Sequence, residues 1–108
     1  MKMIKAYVRP EKVSDILFNL SKNGFYSATR ESVLGRGKQQ GLKVGDIHYD
    51  EIPKDIISVV VEDGNEDTVC SIIIETARSG KNGAYGDGKI FVLPVDTAYT
   101  ISSAEEKL

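Results

Sequence analysis

The chain has one cysteine, one histidine and no tryptophan in 108 residues. One thiol cannot form an internal disulfide, and one histidine cannot build a histidine-rich metal site. Charge of neither sign dominates: 14 basic against 16 acidic side chains leave a net charge of −2, so no global attraction to nucleic acid or acidic lipid exists. No apolar run approaches the ~20 residues of a membrane span. Met1-Lys2-Met3-Ile4 reads as the opening of a strand rather than of a signal peptide. Repeats, low-complexity tracts and linkers are also missing. The remaining mixture, 41% hydrophobic and 28% charged, is that of an ordinary soluble globular protein, and a cytoplasmic location is expected. This length buries one core and not two, so a single domain over 1–108 is expected.

One stretch fits neither helix nor strand. From Gly35 to Lys54 the chain carries Gly35, Gly37, Gly41 and Gly45 among mostly polar residues. Loops longer than about 12–15 residues are uncommon in compact domains and are functional or disordered when they occur. Arg36, Lys38, Gln39 and Gln40, with backbone N–H groups freed by the glycines, could converge on an anion. A solvated hairpin tip is the plain alternative. His48 within it reads as a solvated loop histidine rather than a metal ligand or pH sensor.

The flanking segments alternate and recur regularly. Residues 2–9 place Ile4, Ala6 and Val8 on one side and Met3, Lys5 and Tyr7 on the other, a half-buried strand. Pro10 suits a helix start, Val13, Ile16, Leu17 and Leu20 follow helical spacing, and Gly24 supplies a left-handed stop. A strand over Tyr26–Leu34 precedes the long loop, and the apolar run Ile56–Val61 follows it as a central strand. Asp63 and Glu66 have capping-box spacing before a second helix with Val69, Ile72, Ile73 and Ala77 inward, ended by Arg78 and Gly80. Cys70 on that helix reads as packing. Ile90–Leu93 forms a last strand that Pro94 ends. The order is that of an α+β, ferredoxin-like βαββαβ sandwich with both helices on one face. Its open face, with Tyr7, Val33 and part of 56–61, stays apolar enough to predict an oligomer.

A second glycine-rich loop, Ser79–Phe91, holds Gly86-Asp87-Gly88-Lys89 before the last strand. Alone it is a turn signal, although glycines and a lysine can also cradle phosphates. With Glu75-Thr76-Ala77-Arg78 ahead of it, Met1–Ala6 at the start, Gly35-x-Gly37-Lys38-Gln39-x-Gly41 and Pro53-Lys54, it resembles the nitrogen regulatory protein PII family over nearly the whole chain. The resemblance implies a trimer of ferredoxin-like subunits that binds ATP or ADP between subunits and 2-oxoglutarate through the Mg2+ on ATP. It implies a flexible target-binding T-loop at about 36–53 and a phosphate-binding loop at about 80–89. By the family pattern Thr29, Gly37, Lys38, Gln39, Val60, Gly86, Asp87, Gly88 and Lys89 surround the nucleotide, Asp87 shaping the turn. Gln39, Gln40, Gly41 and Lys54 meet 2-oxoglutarate, and Gln39 also meets the metal, in keeping with magnesium's preference for oxygen.

Departures from the pattern refine this expectation. The T-loop is short and reads Gly45-Asp46-Ile47-His48-Tyr49-Asp50, so Tyr49 does not carry over as a uridylylation site. Ala84 and Tyr85 look like an insertion. Thr100 and Ser102 stand where the pattern has two arginines reaching a neighbour's nucleotide. These features resemble the nitrogenase-associated (NifI) branch, whose paired PII-like chains bind dinitrogenase. The implied function is reversible inhibition of dinitrogenase, relieved by 2-oxoglutarate with ATP, together with a second PII-like chain. The alternative target is a membrane transporter or a nitrogen-assimilation enzyme. An enzyme is not expected: Arg9 alone matches the acylphosphatases of this fold, and no nucleophile–base pair is visible.

Overall fold

The computed structural model describes residues 1–36 and 51–108 in full, and the backbone of 43–44 and 47–48. Strand β1 (Lys2–Val8) leads through a short 3-10 turn at Pro10–Lys12 into helix α1 (Val13–Lys22). Strands β2 (Ala28–Arg36), β3 (Lys43–Val44), β4 (Ile47–His48) and β5 (Glu51–Val61) follow, then helix α2 (Glu66–Ala77) and strand β6 (Gly88–Pro94). A hairpin of β7 (Tyr99–Thr100) and β8 (Glu105–Glu106) turns through Ala104 at φ 57°.

The main sheet has the order β2-β5-β1-β6 and is antiparallel throughout. With the order of elements along the chain this is the expected ferredoxin-like α+β fold. Alternation decides what each strand buries. Ile4, Ala6 and Val8 on β1 and Ile57, Val59 and Val61 on β5 pack under Val13, Ile16 and Leu20 of α1 and Val69, Ile73 and Ala77 of α2. The helices are also joined by a hydrogen bond from Asn19 Nδ2 to Thr76 Oγ1 at 2.9 Å. On the opposite face Tyr7 and Phe91 meet edge to face at 5.8 Å. None of the helices described is long and apolar enough to cross a membrane.

Several boundaries differ from the sequence expectation, each for a local reason. Strand β2 starts at Ala28 rather than Tyr26 because Phe25 N–H donates to Leu20 O at 2.9 Å, and Gly24, at φ +89°, donates to Ser21 O. Residues 24–25 are thereby spent on closing α1. Asp63 does not cap α2. Its carboxylate accepts from the N-terminal amine at 2.9 Å, Asn65 takes the N-cap position, and Glu66 accepts from Gly64 N–H at 2.8 Å. The β2–β5 ladder runs on through Leu34↔Pro53, Gly35↔Ile52 and Arg36↔Glu51. Strand therefore occupies both ends of the stretch read as loop, and the β3–β4 pair lies within it. Pro53 is tolerated because β1 stops pairing with β5 at Asp55, which leaves one side of β5 without a ladder there.

Candidate anion-binding site

At the C-terminal end of β1 three segments converge. Antiparallel register sets Val8 opposite Gly88 and Tyr7 opposite Lys89, which brings the start of β6 against Arg9. Gly88 has φ +125°, and a Cβ there would collide with the carbonyl oxygen of Tyr7. Only glycine allows β6 to begin this close to β1. Gly86 is also left-handed at φ +92°, with the Arg9 guanidinium packed against it.

Asp87 holds the turn from behind. Its carboxylate accepts from Ser79 Oγ at 2.6 Å, Ser79 N–H at 3.0 Å, Ala84 N–H at 2.7 Å and Arg9 Nε at 3.3 Å. The Ser79 hydroxyl, then the amides of Ser79 and Ala84, hold this carboxyl well below the usual carboxylate range, and Arg9 adds to the effect. The turn's carbonyls point the other way, toward cations: Arg9 Nη2 donates to Tyr85 O at 2.9 Å, and Lys54 Nζ donates to Gly86 O. Burial lowers the Lys54 amine below its ordinary value, and neighbouring Arg9 lowers it further, opposed by Glu11 and Asp87.

These residues enclose a cavity of about 530 Å³ lined by Tyr7, Arg9, Gly35, Arg36, Ile52, Lys54, Tyr85, Gly86, Gly88 and Lys89. Among the described residues that line it, four side chains are cationic and none is a carboxylate. A site of that volume and sign suits an anion with several charges. The neighbouring pocket between β2 and β5, about 370 Å³, is different. Its Arg30 is paired to Asp55, Nη2 to Oδ2 at 2.6 Å, so its charge is already matched.

The sequence-predicted residues divide into groups. Gly86, Gly88, Lys89 and Lys54 share the cationic cavity. Asp87 instead faces an apolar groove with Ile73, Ala77 and Arg78, in keeping with a turn-shaping role. Thr29 lies on β2 opposite Ser58, and Val60 lines a pocket of about 340 Å³ with Phe25, Tyr26 and Ser27. Since β2 and β6 are the two outer strands, Thr29 and Lys89 sit on opposite edges of the sheet. Gly37, Lys38, Gln39, Gln40 and Gly41 lie outside the described residues. Among the described residues no cluster of three or more His, Cys, Asp and Glu could hold a metal ion. Cys70 is partly buried, which pushes its thiol pKa up and suits the packing role.

Sequence reading missed Arg9 and Tyr7 as cavity residues, while Arg36, read as one of the loop cations that could meet an anion, does line the cavity. Arg9 carried one usable signal: in the split βαβ topology the end of β1 must lie beside the start of β6, where the glycine-rich turn enters.

Comparison with known proteins gives a consistent result. Residues 1–105 match the profile of the family described as nitrogen regulatory protein P-II. The chain is 50% identical over 105 residues to the nitrogen fixation nifHD region GlnB-like protein 1 of Methanothermococcus thermolithotrophicus, covering 97% of each chain. It is 48% identical over 108 residues to the nifHD2 region GlnB-like protein 1 of Methanosarcina barkeri, covering both chains completely. It is 38% identical over 109 aligned positions to the nitrogen regulatory protein P-II 2 of Methanothermobacter thermautotrophicus, covering 97% of this chain and 92% of that one. With its ferredoxin-like fold and a glycine-lysine turn beside a cationic cavity, the chain belongs to the nitrogen regulatory protein P-II family.

Proposed function

We propose that this P-II chain is a regulator of nitrogen fixation, not an enzyme, that senses ATP or ADP and 2-oxoglutarate and acts by reversible binding to dinitrogenase. The observation that carries the ligand reading is the cavity beside Gly86–Lys89, whose described lining holds four cations and no carboxylate. The nifHD names of its relatives support the target. Thr29 and Val60 take the base, and Gly86, Gly88 and Lys89 of a neighbouring copy take the phosphates, because the two groups occupy opposite edges of one sheet. The active species is accordingly a trimer within one domain of residues 1–108, its T-loop at about 36–53 and phosphate loop at about 80–89. Gly37, Lys38 and Gln39 complete the nucleotide site. Gln39, Gln40, Gly41 and Lys54 receive 2-oxoglutarate. Lys54 then exchanges the Gly86 carbonyl for the ligand's distal carboxylate.

Calorimetry on the assembled protein tests this. ATP with magnesium should bind, and 2-oxoglutarate should give heat only in its presence. Lys89→Ala should lose a charge-assisted phosphate contact, roughly ten- to a hundredfold in affinity. Unchanged affinity would place Lys89 in solvent. Co-purification with native nitrogenase components, with and without 2-oxoglutarate, tests the target.

A further inference from the structure

Tyr85 lies outside the family pattern, in the segment that reads as an insertion, yet its backbone is closely fixed. Ala84 to Asp87 form a four-residue turn, closed by Asp87 N–H donating to Ala84 O at 3.2 Å. Gly86 supplies the left-handed third residue that a type II turn requires. The carbonyls of both central residues are held: Arg9 Nη2 donates to Tyr85 O at 2.9 Å, and Lys54 Nζ donates to Gly86 O. The ring mounted on this turn lines the cationic cavity and is 73% exposed. Among the described residues the aromatic pair is Tyr7 with Phe91, so the Tyr85 ring has no stacking partner there. A rigidly placed aromatic at the rim of a cavity limits what the cavity can admit.

We propose that Tyr85 is a specificity-determining residue that sets the length of the dicarboxylic 2-oxo acid this chain accepts. This rests on the reading of Lys54 as the partner of the distal carboxylate of 2-oxoglutarate. Lys54 bonds the carbonyl of Gly86, the residue next to Tyr85, so the ring stands at the Lys54 end of the cavity. An acid one methylene longer, anchored at its keto-acid end, has to push its second carboxylate past Lys54 towards the ring. The turn resists displacement, because Arg9 and the donors on Asp87 hold its backbone. A shorter acid stops before the ring, and what it loses is the contact with Lys54.

The test titrates oxaloacetate, 2-oxoglutarate and 2-oxoadipate, each one methylene longer than the last, into the assembled protein with ATP and magnesium. Wild type, Tyr85→Ala and Tyr85→Phe are compared, with thermal unfolding of each alongside. Wild type should prefer 2-oxoglutarate to 2-oxoadipate by about ten- to a hundredfold. In Tyr85→Ala that preference should be about tenfold smaller, through a gain for 2-oxoadipate, while the ratio of 2-oxoglutarate to oxaloacetate stays as in wild type. Tyr85→Phe keeps the ring and should keep the wild-type preference. An unchanged preference in Tyr85→Ala, or an equal loss for all three acids, overturns the proposal: the first leaves the ring in solvent, the second makes it a support for the turn. In either case the 2-oxoglutarate reading stands. A wild-type protein that binds none of the acids in the presence of ATP would overturn both.

Discussion

Asp87 shows how a residue behind a cationic cavity can matter through the turn it holds. Four donors converge on one carboxylate, and all of them prefer it ionised. A carboxyl lowered in the folded state stabilises fully above its unfolded value of about 3.9, and that contribution disappears as pH falls through the lower folded value. Asp87→Asn should therefore unfold at a lower temperature than wild type at pH 7. The gap should begin to close only below about pH 4. Thermal midpoints for both proteins between pH 7 and pH 3 check this. A gap that closes above pH 5, or that stays constant to pH 3, would mean that the four contacts do not bind the ionised form preferentially. Gly88 carries the complementary constraint, since any side chain there meets the Tyr7 carbonyl and forces the start of β6 away from the cavity.

Among the elements, β5 carries the most information about the site. It is central, paired to β1 and β2, and it presents Lys54 to the cavity and Asp55 to the interior on consecutive residues. Asp55 is 2% exposed and is matched by Arg30 of β2, whose Nε lies 2.8 Å and Nη2 2.6 Å from Oδ2. Losing one partner of a buried pair leaves an uncompensated charge, although the half-exposed Arg30 lets water reach it. Arg30→Ala should cost about 1–3 kcal/mol, reduced from the fully buried case by that solvent access. Chemical denaturation would measure it. A cost under about 0.5 kcal/mol would mean that water replaces the guanidinium without penalty. Since the pair ties β2 to β5 one residue from Lys54, the variant should also weaken any ligand that Lys54 meets.

For the whole molecule the edges of the sheet decide behaviour. Among the described residues β2 and β6 each have one unpaired side, and β6 leaves Phe91 48% and Leu93 42% exposed. Such edges favour association with further copies. The proposed site, assembled from both edges, would require more than one chain, and its charge would depend on what each contributes. Thr100 and Ser102 contribute none. Among the described residues the Thr100 hydroxyl makes one hydrogen bond, at 3.4 Å to Lys107 O in the β7–β8 hairpin, so replacement of the side chain should be tolerated. Thr100→Arg with Ser102→Arg should strengthen ATP binding by the homo-oligomer, and a second P-II chain with basic residues at those positions should do the same in a mixed assembly. If the unmodified homo-oligomer already binds ATP as tightly as the mixed one, Arg9 and Arg36 meet the charge requirement and no partner chain is needed.

Local pattern alone placed the four strands of the main sheet and the two helices, though not the β3–β4 and β7–β8 pairs. Two-residue alternation marked β1, helical spacing placed Val13, Ile16 and Leu20 under one face, and Gly24 lies left-handed just after α1, whereas α2 already ends at an extended Arg78, two residues before Gly80. The glycine-lysine turn at 86–89 was legible as a turn, but the reason for glycine at 88, the Tyr7 carbonyl, lies on β1. Other features depended on groups far apart in the chain. Asp63 lost its cap to an amine 62 residues away, Arg9 reaches Asp87 across 78 residues, and Lys54 finds the Gly86 carbonyl across 32. No local pattern encodes those meetings, because they follow from antiparallel register between strands distant in sequence. Tertiary structure likewise decided that Thr29 and Lys89 face opposite edges of the sheet, because strand order, not the residues themselves, sets which edge each one occupies.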